Sequence, residues 1–239
     1  MRYLYGPVNS RRLGFSLGIS LTCGKECNFD CVYCQLGRTR EKINLRAEYV
    51  KIEEILAELR LWLQNNAPNI KKINYITLAG SGEPTLNTGI GKIIQEIKKI
   101  TPVGVAVITN SSFLSDASVR YTLLAADLIV PSLDTVNPRV FDKINQPSEG
   151  INLEYIIQGL VDLRKEFKGK IWLEVMLVKG INDDLRHIRK LKEVIEKISP
   201  DKVQLNSPVR SSSETSVFAV NKNKLEKIKN ILGGNCEII

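Results

Sequence analysis

Apolar positions along the chain follow two alternating periods. Short apolar runs stand at 15–20 (FSLGIS), 73–79 (INYITLA), 104–109 (GVAVIT), 127–132 (DLIVPS), 170–178 (KIWLEVMLV) and 202–206 (KVQLN). They read as buried strands, apolar on both faces as a sheet covered by helices requires. Between them the period is helical. Over 51–65, Ile52, Ile55, Leu56, Leu59 and Leu63 share one face, and 89–100 follows the same rule. Ser115 and Asp116 are N-cap candidates for a helix over 115–126, and Asn152 for 153–167. Asn182 and Asp183 open 184–198, and Asn221 caps 222–232. Pro200 stops the fifth helix and Gly233-Gly234 the sixth. Strand then helix, about six times over, means βαβ units on a parallel α/β sheet. An open doubly wound sheet and a barrel-like sheet both satisfy the pattern, and both gather functional residues where strands end. No linker or internal repeat interrupts the chain. Residues 1–239 therefore read as a single domain, with 207–220 as its most loop-like and mobile segment.

Composition narrows the class. The chain has 239 residues, 43% hydrophobic and 25% charged, which excludes disordered and repetitive classes. No apolar run approaches the roughly 18 residues of a membrane span, and the N-terminus lacks the apolar core of a secretory signal. The expectation is a cytoplasmic protein with no membrane partner. Four of the five cysteines, Cys23, Cys27, Cys31 and Cys34, fall close together, and Cys236 stands alone. An odd, clustered set in a chain of this kind suggests metal rather than disulfides. The single histidine, His187, is far from the cluster, which argues against His-rich metal sites and Ser-His-Asp chemistry. The net charge is +8, and it is uneven. Arg2, Arg11, Arg12, Lys25, Arg38, Arg40, Lys42 and Arg46 face only Glu26, Asp30 and Glu41 over residues 1–46. Such a stretch suits an anionic substrate, nucleic acid or an acidic protein; a merely solvated basic surface accounts for it equally.

The cysteine spacing is Cys23-x3-Cys27-x3-Cys31-x2-Cys34, all in one loop after the first strand. Paired CxxC units split by a longer loop would indicate structural zinc. Three thiolates at x3 and x2 spacing instead wrap one corner of an iron–sulfur cubane and leave its fourth iron open for chemistry.

The stretch CNFDCVYC, Cys27 to Cys34, with aromatic Tyr33 before its last cysteine, resembles the CxxxCxxC signature of the radical S-adenosylmethionine (radical SAM) superfamily. The resemblance implies that Cys27, Cys31 and Cys34 are the metal ligands and catalytic centre, holding a [4Fe–4S] cluster. Its free iron chelates S-adenosylmethionine. An electron from an external donor cleaves that cofactor to a 5′-deoxyadenosyl radical, which takes hydrogen from the substrate. Gly80-Ser81-Gly82-Glu83-Pro84-Thr85 stands where the family's glycine-rich motif meets the methionine amino group. The resemblance therefore assigns Gly82 and Glu83 to the cofactor; glycine admits close backbone approach and proline fixes the turn, though an ordinary Gly-Pro turn has the same residues. Thr109-Asn110-Ser111 and Pro131-Ser132-Leu133-Asp134 follow the next two strands. They add Asn110, Ser132 and Asp134, with Tyr33, as implied cofactor contacts. The stretch 178–183 stands where the family often contacts adenine. Glu174 is either a polar barrel interior residue or solvent-facing. The resemblance spans roughly 13–206. It implies a partial (β/α)6 radical-SAM-type barrel with parallel strands and 207–239 as a short C-terminal extension.

Four stretches are narrower still: YGPV (5–8), SRRLG (10–14), CQLGRT (34–39) and SGEPTLN (81–87). They resemble the group related to the tRNA wyosine-base-forming enzyme, 4-demethylwyosine synthase, which implies tRNA or another anionic substrate. Those enzymes carry a second cluster on three further cysteines, and this chain has only Cys23 and Cys236 outside the signature. The expectation is a one-cluster relative with an unassigned substrate. The alternatives are an activating enzyme that makes a glycyl radical on a protein partner, and a zinc-stabilised nucleic-acid-binding module. Cys23 reads as a spare thiol, a protective residue or a fourth ligand, and Cys236 as a structural thiol. His187 reads as a surface helix residue. Arg11 and Arg12 either hold a cofactor carboxylate or substrate phosphate or form an exposed pair.

Overall fold

The structure, a computed structural model, describes residues 1–209 and 212–239. Eight strands form one sheet in chain order. They are β1 Leu4–Ser10, β2 Gly14–Ser20, β3 Tyr75–Ala79, β4 Gly104–Thr109, β5 Leu128–Pro131, β6 Lys170–Met176, β7 Lys202–Asn206 and β8 Cys236–Ile238. From β2 to β8 every neighbouring pair is parallel. β1 is the exception, antiparallel to β2 with Leu4 opposite Ile19. The sequence pattern pointed to six strands, all parallel. β1 escaped it because Gly6-Pro7 interrupts its apolar alternation. β8 escaped it because three residues carry no readable period.

The six expected helices are α1 Ile52–Asn65, α2 Ile90–Ile100, α3 Ala117–Leu123, α5 Leu153–Glu166, α6 Leu185–Ile198 and α7 Lys222–Leu232. A seventh, α4 Pro138–Ile144, was not expected. It is short, buries only Phe141 and Ile144, and so shows no helical period, but its Asn137-Pro138 start is a legible cap. α3 is shorter than the 115–126 expected. Asp116 caps it, Asn152 caps α5 and Asn221 caps α7, each accepting a backbone N–H of the first turn. The cap of α6 is corrected. It is Asp184, whose carboxylate accepts from Arg186 and His187 N–H, and not Asn182 or Asp183. Those two are buried and spent elsewhere: Asn182 donates to the carbonyls of Asp134 and Met176, and Asp183 meets Lys224.

Strand side chains alternate between two apolar layers. One set, including Leu17, Ile76, Val105, Ile129, Leu173 and Val203, packs against the helices. The other faces inward, where Ala106, Leu128 and Val130 meet Leu13 from the β1–β2 turn. Each fully buried Leu or Ile contributes roughly 1.5–3 kcal/mol, which is why both faces read as apolar. The barrel is open between β1 and β8. The β1–β2 turn spans the gap with side chains: Arg11 Nη1 donates to Ile239 O at 3.2 Å, and Gln204 Nε2 donates to Arg12 O at 3.1 Å. Arg12 reaches Glu174, which is 4% exposed and also accepts from Asn206 Nδ2 at 2.9 Å. Glu174 is therefore an interior residue, and Arg12 is its counter-ion. The described part of 207–220 is irregular apart from a single bridge of Ala219 to Val178; residues 210 and 211 lie outside the described residues. Among the described residues no helix is long and apolar enough to cross a membrane.

Candidate active site

The cysteine loop leaves the C-terminal end of β2 and is held on every side. Ile43 N–H donates to Cys27 O at 3.0 Å. Asp30 N–H and Val32 N–H donate to the carbonyls of Asn145 and Ile144, at 3.1 and 3.0 Å. These carbonyls end α4, and a helix end has no partners of its own for them. Phe29 packs edge-on against Phe141 of the same helix, with centroids 5.5 Å apart. α4 is thus the buttress of the loop.

Cys27, Cys31 and Cys34 are half-buried, free thiols, while Cys23 is exposed and directs its Sγ to Tyr49 O. Phe29 N–H points at Cys27 Sγ from 3.4 Å, Asn110 Nδ2 at the same sulfur from 3.7 Å, and Asn145 Nδ2 at Cys31 Sγ from 3.5 Å. Burial pushes the Cys27 thiol up to about 12, with the Glu83 carboxylate adding to it. Cys31 is pushed up by burial and then by Asp134. A metal bound by these thiols would therefore have to displace their protons. Among the described residues no three His, Cys, Asp or Glu converge as on one metal ion. A cubane asks for something else, thiolates from one loop on separate irons, and a set of free thiols on one braced loop fits that demand.

The other expected residues gather around this loop. Glu83 is 2% exposed and both its oxygens are used. Oε1 accepts from Thr85 N–H, Thr85 Oγ1 and Thr109 Oγ1 at 3.0, 2.6 and 2.6 Å, and Oε2 accepts from Asn110 N–H at 2.7 Å. Burial raises its pKa, against the pull of those four donors. Its own N–H donates to Glu26 O at 2.9 Å. A Cβ on Gly82 would stand 1.9 Å from that same carbonyl. The close approach that glycine permits here is thus made by the cysteine loop. Asp134 accepts from Tyr33 OH, from Asn145 Nδ2 at 2.7 Å and from Met176 N–H at 2.9 Å. Burial lifts its carboxyl to about 6, and the same environment raises the Tyr33 phenol well above its ordinary value. Tyr33, Asn110, Ser132 and Asp134 line one cavity with Phe29 and Asn145; its volume is about 20 Å³, room for one water. The VKGIND stretch joins them through Asn182, bonded to Asp134 O. Asn28, which bonds Asn110 at 2.8 Å, is a variable position inside the cysteine signature, and Asn145 belongs to no motif that would have marked it.

Most of the basic N-terminal residues have partners within the chain. Arg2 meets Glu54, Arg12 meets Glu174, Lys25 meets Asp30, and Arg38 meets Asp30 and Glu214. Arg11, Lys42 and Arg46 donate to backbone carbonyls. Only Arg40 makes no such bond among the described residues. Arg2, Arg11, Arg38, Arg40 and Lys42 nevertheless stay exposed, and Arg12, Lys25 and Arg46 are half-buried. Cys236 is buried in the main core and burial pushes its thiol up to about 12. His187 is half-buried on α6.

A family model described as the radical SAM superfamily matches residues 21–191. A UPF0026 protein of Methanocaldococcus jannaschii is 36% identical over 241 residues, covering 100% of this chain and 73% of that protein. A protein described as GTPase Obg in Brachyspira hyodysenteriae is 43% identical over 235 residues. That match covers 98% of this chain but 34% of the relative, so the chain spans about a third of its length. Among solved structures, a radical SAM methyltransferase from Sphaerobacter thermophilus superposes with a TM-score of 0.72 at 15% identity, over 95% of this chain and 68% of that one. An archaeal TYW1 superposes with a TM-score of 0.58 at 18% identity, over 92% of this chain and 72% of the other. At these identities the likeness is one of fold.

Proposed function

The chain belongs to the radical SAM superfamily, and on that membership we propose that Cys27, Cys31 and Cys34 are its cluster ligands, with S-adenosylmethionine against Tyr33, Gly82, Glu83, Asn110, Ser132 and Asp134. The superfamily's cofactors are a [4Fe–4S] cluster and S-adenosylmethionine; when bound, they supply a reductively generated 5′-deoxyadenosyl radical that abstracts hydrogen from the substrate. Membership of an enzyme superfamily removes the non-catalytic zinc module from consideration.

One observation carries the site: three free thiols on a single loop braced by α4, with side-chain amides aimed at two of the sulfurs. Among the described residues the carbonyls of Gly80, Ser81 and Gly82 accept no hydrogen bond, which leaves acceptors at the end of β3 for a cofactor ammonium. Glu83 acts from behind, tying the ends of β3 and β4 together through Thr85, Thr109 and Asn110. The substrate is assigned to the anionic class, with tRNA as first candidate. Its support is charge. Arg186, Arg189 and Lys190 on α6 and Lys222 and Lys227 on α7 are exposed on two adjacent helices, and such cations meet a phosphate backbone.

The test is anaerobic reconstitution followed by reduction in the presence of S-adenosylmethionine. About four iron and four sulfide per chain and 5′-deoxyadenosine are expected. Replacing Cys27, Cys31 or Cys34 by Ala is expected to abolish cleavage, while Cys23→Ala keeps full iron; iron loss in that last variant means a different ligand set. Unfractionated tRNA is expected to lose affinity on the order of 10²-fold between about 50 and about 200 mM salt. An affinity indifferent to salt sinks the substrate assignment and leaves the radical class standing.

A further inference from the structure

Asn145 belongs to no motif in this chain, yet it touches the centre of the site. It closes α4, is 4% exposed, and its backbone carbonyl holds Asp30 N–H of the cysteine loop. Its Nδ2 lies 3.5 Å from Cys31 Sγ, 2.7 Å from Asp134 Oδ2 and 3.3 Å from Tyr33 OH. On the other side of the loop Asn110 Nδ2 lies 3.7 Å from Cys27 Sγ. The orientation of both amides follows from their neighbours. Asp134 Oδ2, a carboxylate oxygen, carries no hydrogen to donate, so the Asn145 amide atom 2.7 Å from it is the N–H group. Asn110 Nδ2 donates to Asn28 Oδ1 at 2.8 Å while Asn110 Oδ1 accepts from Ser112 N–H at 3.0 Å. Neither amide can be flipped without setting acceptor against acceptor. Both therefore present N–H to sulfur. Among the described residues no side-chain amide faces Cys34 in the same way.

We propose that Asn145 and Asn110 are positioning residues that set the reduction potential of the cluster, by donating N–H to the thiolates of Cys31 and Cys27. The inference rests on the reading of the three cysteines as ligands. Its physics is simple. Reduction takes one electron from an external one-electron donor and adds one negative charge to the cluster and its sulfurs. An N–H dipole aimed at a ligating sulfur stabilises the more negative state more, so it raises the potential. Around Cys31 the effect is weakly screened, because Asn145 is 4% exposed; Asn110 is half-buried and its dipole is screened more. Asn145 is fixed by Asp134 and Tyr33, and Asn110 by Asn28, so neither donor must be reoriented when charge arrives.

The test is potentiometric. Wild type, Asn145→Leu, Asn110→Leu and the double variant are loaded anaerobically, and the midpoint potential is read by electron paramagnetic resonance without S-adenosylmethionine. Each single variant is expected to keep the wild-type iron content and to shift to a more negative potential, and the double variant to shift further. A residue that merely supported the fold would change iron content or Tm and leave the potential of the loaded protein in place. Loaded variants whose potentials stay put, or become more positive, overturn the proposal. If Asn145→Leu does not load, Asn110→Leu decides alone by the same reading. A wild type that takes up no four-iron cluster overturns the ligand reading and this inference with it; a loaded wild type with unmoved variants overturns this inference only.

Discussion

Two carboxylates are buried beside the thiols, and the chain handles both without a cation. Glu83 is met by four uncharged donors, Asp134 by three. Hydrogen bonds to a charged group are worth roughly 1.5–3 kcal/mol each, enough to keep such groups in place but not to cancel burial. Asp134 shows the residue, with its carboxyl lifted to about 6. Its folded-state pKa lies above its unfolded value of about 3.9, so between those values the folded protein binds more protons. Stability of the cluster-free protein is therefore expected to be highest below about pH 4 as far as this group is concerned, to fall as pH rises to about 6, and then to level off. The change is on the order of 3 kcal/mol at most. Comparing urea midpoints of wild type and Asp134→Asn at about pH 4.5 and 7 isolates it: the variant is expected to gain relative to wild type as pH rises, and parallel curves count against it. At this scale the cysteines, Glu83 and Asp134 were legible as chemistry. That Asp134 would spend its oxygens on Tyr33 and Asn145 was not, because those partners are far apart in the chain.

Elements were read well where they were long. α1, α2, α5, α6 and α7 all carry a 3.6-residue apolar stripe, and burial of that stripe forces the helix. α5 shows how tightly such an element is seated. Gly159 is buried in it, and a Cβ there would come within 2.4 Å of Leu114 backbone. Gly159→Ala gains up to about 1 kcal/mol of helix propensity, yet α5 must retreat from the β4–α3 connection. A net loss of about 1–3 kcal/mol is expected, whereas Gly234→Ala, with nothing within 4 Å, is expected to be near neutral. Thermal melts of the two variants side by side decide it, and equal Tm values refute the packing argument. α4 marks the limit of such reading. Seven residues hold too few turns to display a stripe, so the element that braces the cysteine loop was visible only in its Asn137-Pro138 start.

The whole molecule is a barrel with a gap, and the gap is crossed by the β1–β2 turn. Arg12 joins that turn to Glu174 on β6, and Gln204 of β7 joins its backbone. Removing one member of a buried ion pair leaves the other uncompensated, at about 3–5 kcal/mol. Arg12→Leu is expected to lower the urea midpoint by that order, with Arg12→Leu/Glu174→Leu recovering much of the loss. A double variant no more stable than the single would mean that the pair does not close the barrel.

Periodicity and turn chemistry determined the α/β class, the order of strands and helices, most of the caps and the cysteine signature, because each depends on residues close together in the chain. Tertiary structure alone decided what those residues do to one another. It gave most of the basic N-terminal residues their partners, since guanidinium and ammonium groups such as those of Arg2, Arg12 and Arg38 find Glu54, Glu174 and Glu214 only once distant segments are neighbours. It made Glu174 an interior residue by bringing Arg12 and Asn206 to it. It brought Asn145 within reach of Cys31, across more than a hundred residues of chain, because a local pattern records which face of an element is buried and not what the buried face will meet.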